Sequence, residues 1–568
     1  MDRQTFEKNL ASLCTTEARL NSRLSYRDAL SHYAFLKSRS GEIVPALLLP
    51  SSDTQPLHSM IDPIREAQRL VSTIPQDTDF IVFLGLGGGF APEEALCSRA
   101  SNGFSRVVVI DFDAEGMAEL LSSKDYTKLF SDSRFSLYVD LSDDEIKKII
   151  SEQYKPAIHG GIKIIPLRTR TDADLSKFER AAGVMESAIE NSAGDYSVQA
   201  HFGKRWFSNI IRNMKAVEKT DNFFKINSPA IREAAIIAAG PSLDQQIPVL
   251  VEYKERGAFI ICSDTALPVL LNNGIEPDAV VSIDCQHISY YHFMGCNLFA
   301  HNVPLFLGLA SPPLLCGLSP SPVFFSSGHP LELYVSQYWR QLPKLDTSGG
   351  NVTYSCLSLA QILGFQRITF FGADFSYIGC RTYSRGTYIY PFFEKKQNRL
   401  SPLEALFSSF LYRSPFLPKN EQGQTFHETS SLRFYREKIE EKASLINAQS
   451  VSAKGQGAPI DFTRKIAHNG GNENPALLET SSFSTGSAKT SAVEFLENYR
   501  DDIAALPPAN TEDYLNVLSL KNRQVFTTLL PFAAAVKHRS PVLKTKDLIE
   551  EAKRLCIEEI TRVCNPPS

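Results

Sequence analysis

The chain has 568 residues, 43% of them hydrophobic, and 59 basic against 63 acidic side chains leave a net charge of −4 at neutral pH. At about 100–200 residues per domain, such a length calls for three or four domains and excludes a small stapled fold. The near balance of charge, with no Lys/Arg run long enough to follow a phosphate backbone, argues against nucleic acid as a partner.

The first residues, Met1 to Lys8, carry charge where a signal peptide needs its apolar segment. No later apolar stretch approaches the ~20 residues of a spanning helix, so a cytoplasmic protein without a membrane partner is expected. Ten cysteines run from Cys14 to Cys564 without a C-x-x-C pair. Their scatter disfavours a zinc ribbon or a disulfide framework and predicts reduced packing residues and no metal centre.

In chain order, residues 1–70 show helical spacing apart from 42–49, where Pro45 predicts a short strand at a sheet edge. The run Phe80-Ile81-Val82-Phe83-Leu84 then ends in Gly85-Leu86-Gly87-Gly88-Gly89, followed by a helical stretch and an apolar run that closes on Asp111. Strand, glycine-rich turn, helix and strand ending in an acid is the order of a Rossmann-type unit, also similar to methyltransferase folds. Gly85, Gly87, Gly88 and Asp111 are therefore candidates for a second ligand site, with Asp111 placed to bind a ribose hydroxyl. The glycine spacing departs from the full dinucleotide fingerprint, and a purely structural turn is the alternative. Strands at 134–140 and 162–167 and long helices at 172–189 and 196–217 follow.

The densest signal comes next. Ala235-Ile236-Ile237-Ala238-Ala239 breaks into Gly240-Pro241-Ser242 and then into helical spacing. Such a turn leaves backbone N–H groups at a helix N-terminus for a phosphate-bearing ligand, although many β-to-α turns use Gly and Ser only to change direction. The runs 257–264, ending in Ser263 and Asp264, and 277–284, ending in Asp284, repeat the pattern around a helical 265–273. Short, apolar on both faces and bounded by Gly or Pro, they predict buried parallel strands whose ends point polar groups at one ligand crevice. Further strands at 303–309, 322–326 and 366–371 complete a doubly wound sheet. Residues 480–491, rich in Ser, Thr and Gly, predict an exposed linker, and 492–564 carry helical spacing. The expected organisation is α/β: a Rossmann-like domain at 1–195 with a helical lead-in, a second doubly wound domain at 196–462, and a linker with a C-terminal α-helical domain at 463–568.

The blocks 236–243, 260–267 and 277–284 resemble the motility-associated factor (Maf) family. So, above all, does Asp346-Thr347-Ser348-Gly349-Gly350-Asn351 running through Leu363-Gly364-Phe365 to Phe371-Gly372-Ala373-Asp374-Phe375-Ser376-Tyr377. That family's central domain is similar to metal-independent bacterial sialyltransferases, and its members are regarded as flagellin glycosyltransferases that move a nonulosonic acid from CMP to Ser or Thr. The resemblance spans about residues 80–460 and implies a CMP-sugar donor as co-substrate, flagellin as acceptor and no required cofactor. Carried over by position, it implies Gly240, Pro241, Ser242, Ser263, Asp264, Asp284 and Asp374 around the nucleotide. Thr347, Ser348 and Gly349 would open a helix facing the donor carboxylate or phosphate, ordinary N-capping being the plain alternative. Tyr377 and Tyr383 would stabilise the leaving phosphate. His427, in Phe426-His427-Glu428-Thr429-Ser430-Ser431 before helical 432–445, would be the general base, since an imidazole can accept a hydroxyl proton near neutral pH. One departure is Ala239, where the sialyltransferases carry Asn before Gly-Pro-Ser.

Two other readings stand beside this one. Archaeal relatives of the central domain are pterin diphosphokinases, and Asp264, Asp284 and Asp374 at strand ends could hold Mg²⁺ for such chemistry. A flagellin-binding assembly factor with an inactive crevice is the non-enzymatic alternative.

Overall fold

The computed structural model describes residues 2–13, 24–26, 31–51, 53–100, 102–220, 224–225, 232–298, 302–379, 381–413, 427–463, 482–483, 486–511 and 514–565. Two units result, Met1–Gly203 with Asp501–Ile557, and Lys204–Arg500 with Glu558–Ser568.

The first unit opens with an antiparallel sheet of β1 (Tyr33–Lys37), β2 (Ile43–Leu48) and β3 (Thr54–Pro56). Because β2 is the middle strand, Pro45 does not mark an edge as expected. It is tolerated because it lies outside the ladder to β3, which pairs Ala46, Leu47 and Leu48. A second sheet joins β4 (Phe80–Leu84), β5 (Arg106–Asp111), β6 (Phe135–Val139) and β7 (Ile162–Pro166), all parallel, in the order β6-β5-β4-β7. Phe80, Val82 and Leu84 pack with Ile146, Ile150 and Phe178, while Ile81 and Phe83 face Ala95, Leu96 and Met117 on the other side. Covering on both faces is why the strand is apolar without alternation, and each such side chain contributes roughly 1.5–3 kcal/mol on burial.

One helix of 45 residues, Leu175–Lys219, replaces the two predicted there. A Cβ added at Gly194 would meet nothing within 4 Å, so this glycine costs only propensity, about 1 kcal/mol, which packing elsewhere along the helix overrides.

The predicted C-terminal helices are present. Leu520–Arg539 belongs to the first unit, where Tyr514 packs in tilted contact with Phe104 at 4.8 Å and Phe526 at 5.4 Å. In Ala492–Ala504, Phe495 and Tyr499 pack on Trp339 at 6.0 Å and Tyr334 at 5.1 Å in the second unit.

In the second unit the strands are β8 (Phe224–Lys225), β9 (Glu233–Ile237), β10 (Phe259–Ser263), β11 (Ala279–Ser282), β12 (Leu305–Gly308), β13 (Pro322–Phe325), β14 (Arg367–Phe371), β15 (Gln449–Ser452) and β16 (Ser482–Phe483). Seven of them form a parallel sheet in the order β13-β12-β11-β10-β9-β14-β15. The chain reverses direction between β9 and β14, and a crevice at the carboxyl ends of the strands is expected at that switch point. The pair β8 and β16 is antiparallel. Of the predicted linker, the described part is tied down and not loose: Arg340 Nε donates to Gly486 O at 2.9 Å and Trp339 Nε1 to Thr490 O at 2.9 Å.

The predicted α/β class, with two parallel Rossmann-like sheets and a helical C-terminal region, therefore holds. Among the described residues no helix is long and apolar enough to cross a membrane.

Candidate functional site

At the switch point the turn after β9 and the turn after β14 are locked together. Gly240 N donates to Gly372 O at 2.8 Å, Ser242 N to the Asp374 carboxylate at 2.8 Å, and Gly372 N to Gln246 Oε1 at 2.7 Å. The loop after β15 closes over them through Ala458 N to Asp374 O at 2.8 Å and Gln456 N to Ser242 Oγ at 3.0 Å. The N–H groups of Gly240 and Ser242, expected to face a ligand phosphate, are thus spent inside the protein. Asp374 is the anion at this turn; burial pushes its carboxyl up and the Ser242 hydrogen bonds oppose the shift.

Gly372 has φ +62°, and a Cβ there would lie 2.3 Å from Ala238 O, a backbone atom that cannot rotate away. Gly372→Ala is therefore expected to destabilise the second unit by roughly 2–4 kcal/mol, the left-handed backbone and the overpacking adding together. Chemical denaturation of the variant beside the parent measures it, and a loss under about 1 kcal/mol would show that the turn relaxes.

Beside this junction the ends of β10 and β11 carry two acids. Asp264, 1% exposed, accepts from Thr265 N at 2.7 Å and from Ser282 Oγ at 2.7 Å, so it ties β10 to β11; Ser263 is buried next to it. Asp284 is partly open and accepts from Gln286 N at 2.9 Å; burial pushes its carboxyl up. Tyr388, Tyr383 and Tyr435 feel the charge of one or both of these acids, and Tyr377 acts on Tyr383. Burial raises the hydroxyl of Tyr388, Arg413 opposes the rise, and Asp264 and Asp284 add to it. Tyr383 is raised by burial and then by Tyr388 and Tyr377, Tyr435 by burial and then by Asp284. Tyr377 is raised by burial against Arg413. All four hydroxyls are therefore kept protonated and able to donate. The His292 ring meets Tyr388 edge-on at 4.6 Å.

The loop that carries Tyr383 is pinned to the first turn of the helix Leu243–Glu255. Arg381, Ser384 and the Arg385 N–H all donate to the Asp244 carboxylate, and Ser384 N donates to Ala239 O at 2.8 Å. On the other side, Tyr377 N donates to His427 O at 2.9 Å in an antiparallel bridge that brings two predicted residues together. His427 stands two residues before Thr429, whose hydroxyl caps the helix Ser430–Leu445, and Glu428 between them is buried against Arg433 and Arg436 at 3.2 Å. The backbone around His427 is therefore fixed while its side chain stays partly exposed. Phe426 lies outside the described residues.

Thr347, Ser348 and Gly349 do not open the next helix. Val352–Ile362 is capped by Asn351, whose side chain accepts from Tyr354 N at 2.9 Å, because Ser348 is already engaged with Asp346 at 2.7 Å. Asp346 also accepts from Lys442 at 2.9 Å; burial pushes its carboxyl up, but Lys442, Ser348 and Tyr354 hold it well below the usual range. The three residues form a turn at the crevice wall, where a Cβ on the adjacent Gly350 would come within 3.2 Å of the Tyr435 ring.

In the first unit the glycine-rich turn is occupied by the protein's own side chains. Gly88 N donates to His58 Nε2 at 2.8 Å, Tyr126 donates to Gly87 O at 2.8 Å, and a Cβ at Gly85 would lie 3.0 Å from the Arg170 side chain. Asp111, 1% exposed, accepts from Arg170 at 2.8 and 3.1 Å and from Phe112 N at 2.7 Å. Arg170 thus takes the carboxylate that a ribose was expected to meet. Among the described residues no group of three or more His, Cys, Asp or Glu side chains could hold a metal ion.

Comparison with known proteins adds the following. An uncharacterised protein of Treponema pallidum (strain Nichols) is 31% identical over 185 residues, which make up 31% of this chain and 87% of that protein. The chain belongs to one family with this treponemal protein. A second uncharacterised protein of the same organism is 40% identical over 121 residues, 21% of this chain, and the chain spans only 43% of its length. A family model described as 6-hydroxymethylpterin diphosphokinase MptE-like matches residues 204–379, a stretch that includes Gly240-Pro241-Ser242 and Tyr377. The solved structure of a Maf glycosyltransferase from Magnetospirillum magneticum AMB-1 superposes with a TM-score of 0.54 at 13% identity, covering 99% of this chain and 95% of that one. The fold along the whole chain is the Maf fold.

No motif in the sequence singles out Tyr388, Tyr435, Arg413 or His292. Tyr388 follows Tyr383 by five positions and could have been found as a second tyrosine of the same segment, whereas Tyr435 sits in an amphipathic helix with nothing local to set it apart.

Proposed function

We propose that this chain is a glycosyltransferase that moves a nonulosonic sugar from a CMP donor to Ser or Thr hydroxyls of flagellin, in the cytoplasm, in support of flagellar assembly and motility. The observation that carries the reading is the backbone bridge between Tyr377 and His427, in the segment that follows β14 of the parallel sheet, which brings the candidate leaving-group residue and the candidate base side by side. The whole-chain likeness of fold to a Maf glycosyltransferase agrees with it.

The chemistry asks for two things. The bond from the anomeric carbon to the CMP phosphate breaks early, so the departing phosphate needs donors; Tyr377, Tyr383 and Tyr388, raised by burial, supply protonated hydroxyls for that role. The acceptor hydroxyl must lose its proton as it attacks, and His427 takes that proton. Asp264, bonded on both oxygens, keeps β10 and β11 in register beneath the site.

A second reading, Mg²⁺-dependent diphosphoryl transfer, is favoured by the MptE-like match over 204–379. The three acids fit a metal poorly, since Asp264 is bonded through both oxygens and Asp374 is bonded to Ser242. A nucleotide panel (CMP, CDP, UDP, ATP, SAM, NAD) with and without Mg²⁺ separates the two by thermal shift, because a ligand of the native state raises the melting temperature. A rise with CMP that is independent of metal is expected. A rise with ATP only in the presence of Mg²⁺ would move the assignment to the diphosphokinase.

A further inference from the structure

The crevice described above is rich in acids and hydroxyls, yet a nucleotide donor brings negative charge of its own. The usual source of compensation, the helix N-terminus after Gly240-Pro241-Ser242, has its Ser242 N–H turned onto Asp374. Some other group must receive the anion.

Arg413 stands out. Its guanidinium lies over the face of Phe410, 4.0 Å from the ring centre, and Phe410 belongs to the aromatic cluster that also holds Tyr383, Tyr388 and Phe393. Stacking of this kind orients a guanidinium without neutralising it. Among the described residues Arg413 makes no hydrogen bond or ion pair, and its side chain is exposed. It is also the cation whose charge acts on Tyr377, Tyr383 and Tyr388 together.

We propose that Arg413, aimed by Phe410 at the tyrosine-lined crevice, binds the phosphate of the nucleotide donor. The inference rests on the reading of the chain as a nucleotide-sugar transferase and names the group that recognises the donor's charge. The planar fork matches two phosphate oxygens, which a lysine ammonium cannot do.

Titration calorimetry on the full chain tests it with CMP and with cytidine, which differ only in the phosphate. Arg413→Gln is expected to weaken CMP roughly 10- to 100-fold, the range of a charge-assisted hydrogen bond, and to leave cytidine unchanged. Arg413→Lys should fall between the two, and raised salt should shrink the difference between parent and Arg413→Gln. The melting temperature of each variant without ligand serves as the folding control, expected to equal that of the parent because the side chain is exposed. Equal CMP affinity in parent and Arg413→Gln overturns the inference and leaves the CMP reading standing. If the parent binds ATP but not CMP, the CMP reading falls; Arg413 then keeps its role only if Arg413→Gln weakens ATP and spares adenosine. Binding of neither nucleotide by the parent overturns both.

Discussion

Replacement of His427 by alanine is expected to lower the rate of sugar transfer by roughly 10²–10⁴, the usual worth of a positioned general base, while CMP binding and thermal stability stay near the parent values. The separation follows from how the residue is held. The bridge to Tyr377 uses the carbonyl of His427, which alanine retains, and the helix start behind it depends on Thr429 and Glu428. Both the carbonyl that bridges to Tyr377 and the cap at Thr429 survive the substitution, so stability should shift by no more than about 0.5 kcal/mol. In the proposed reaction the nucleotide would leave from the other side of the anomeric carbon, assisted by the tyrosines. Slow hydrolysis of the donor by water should therefore persist in the variant while transfer to a Ser or Thr hydroxyl collapses. Transfer and hydrolysis are measured side by side with the same donor. A parallel fall in both would assign His427 to donor binding, and an unchanged transfer rate would remove it from the chemistry.

What could be seen in the residues alone follows a physical line. Strands covered on both faces, such as Phe80–Leu84 and Phe259–Ser263, announce themselves because every position must be apolar. The edge strand Gln449–Ser452, largely exposed, carries no such run and leaves no mark in the sequence pattern. Turn chemistry was equally visible at Gly240-Pro241-Ser242, but its partner was not. Ser242 and Asp374 are 132 residues apart, and only the reversal of strand order between β9 and β14 makes them neighbours. A turn that reads as an open anion site therefore turns out to be filled by a carboxylate of the same chain. The helix after Asp346 shows the same limit at short range. Thr347 and Ser348 are good caps by type, yet Asp346 captures Ser348 and the helix begins at Asn351. Tyr377 and His427 are legible only through a resemblance, and their adjacency at a separation of 50 positions comes only with the fold.

Removal of the Arg170 side chain is expected to cost about 3–5 kcal/mol of stability in the first unit, because Arg170→Ala leaves Asp111 buried without a counter-charge. Both side chains are 2% exposed, and the guanidinium meets one Asp111 oxygen through two nitrogens at 2.8 and 3.1 Å. Burial already pushes the Asp111 carboxyl up, and Arg170 is the first group opposing it. Without the arginine, the carboxyl must take up a proton or admit water into the apolar wall formed with Phe112 and Phe178. The paired change Arg170→Met with Asp111→Asn removes both charges and should recover much of the loss, since an uncompensated charge costs more than the pair itself contributes. Urea denaturation of the two variants beside the parent decides the point. A cost below about 1 kcal/mol for Arg170→Ala would mean that Asp111 finds another partner, and the natural candidate is a ligand hydroxyl at the glycine-rich turn. The same measurement repeated with NAD or SAM then discriminates: stabilisation of Arg170→Ala but not of the parent would show that Arg170 occupies a ligand position, whereas indifference in both would show that the turn after β4 shapes the chain and holds nothing.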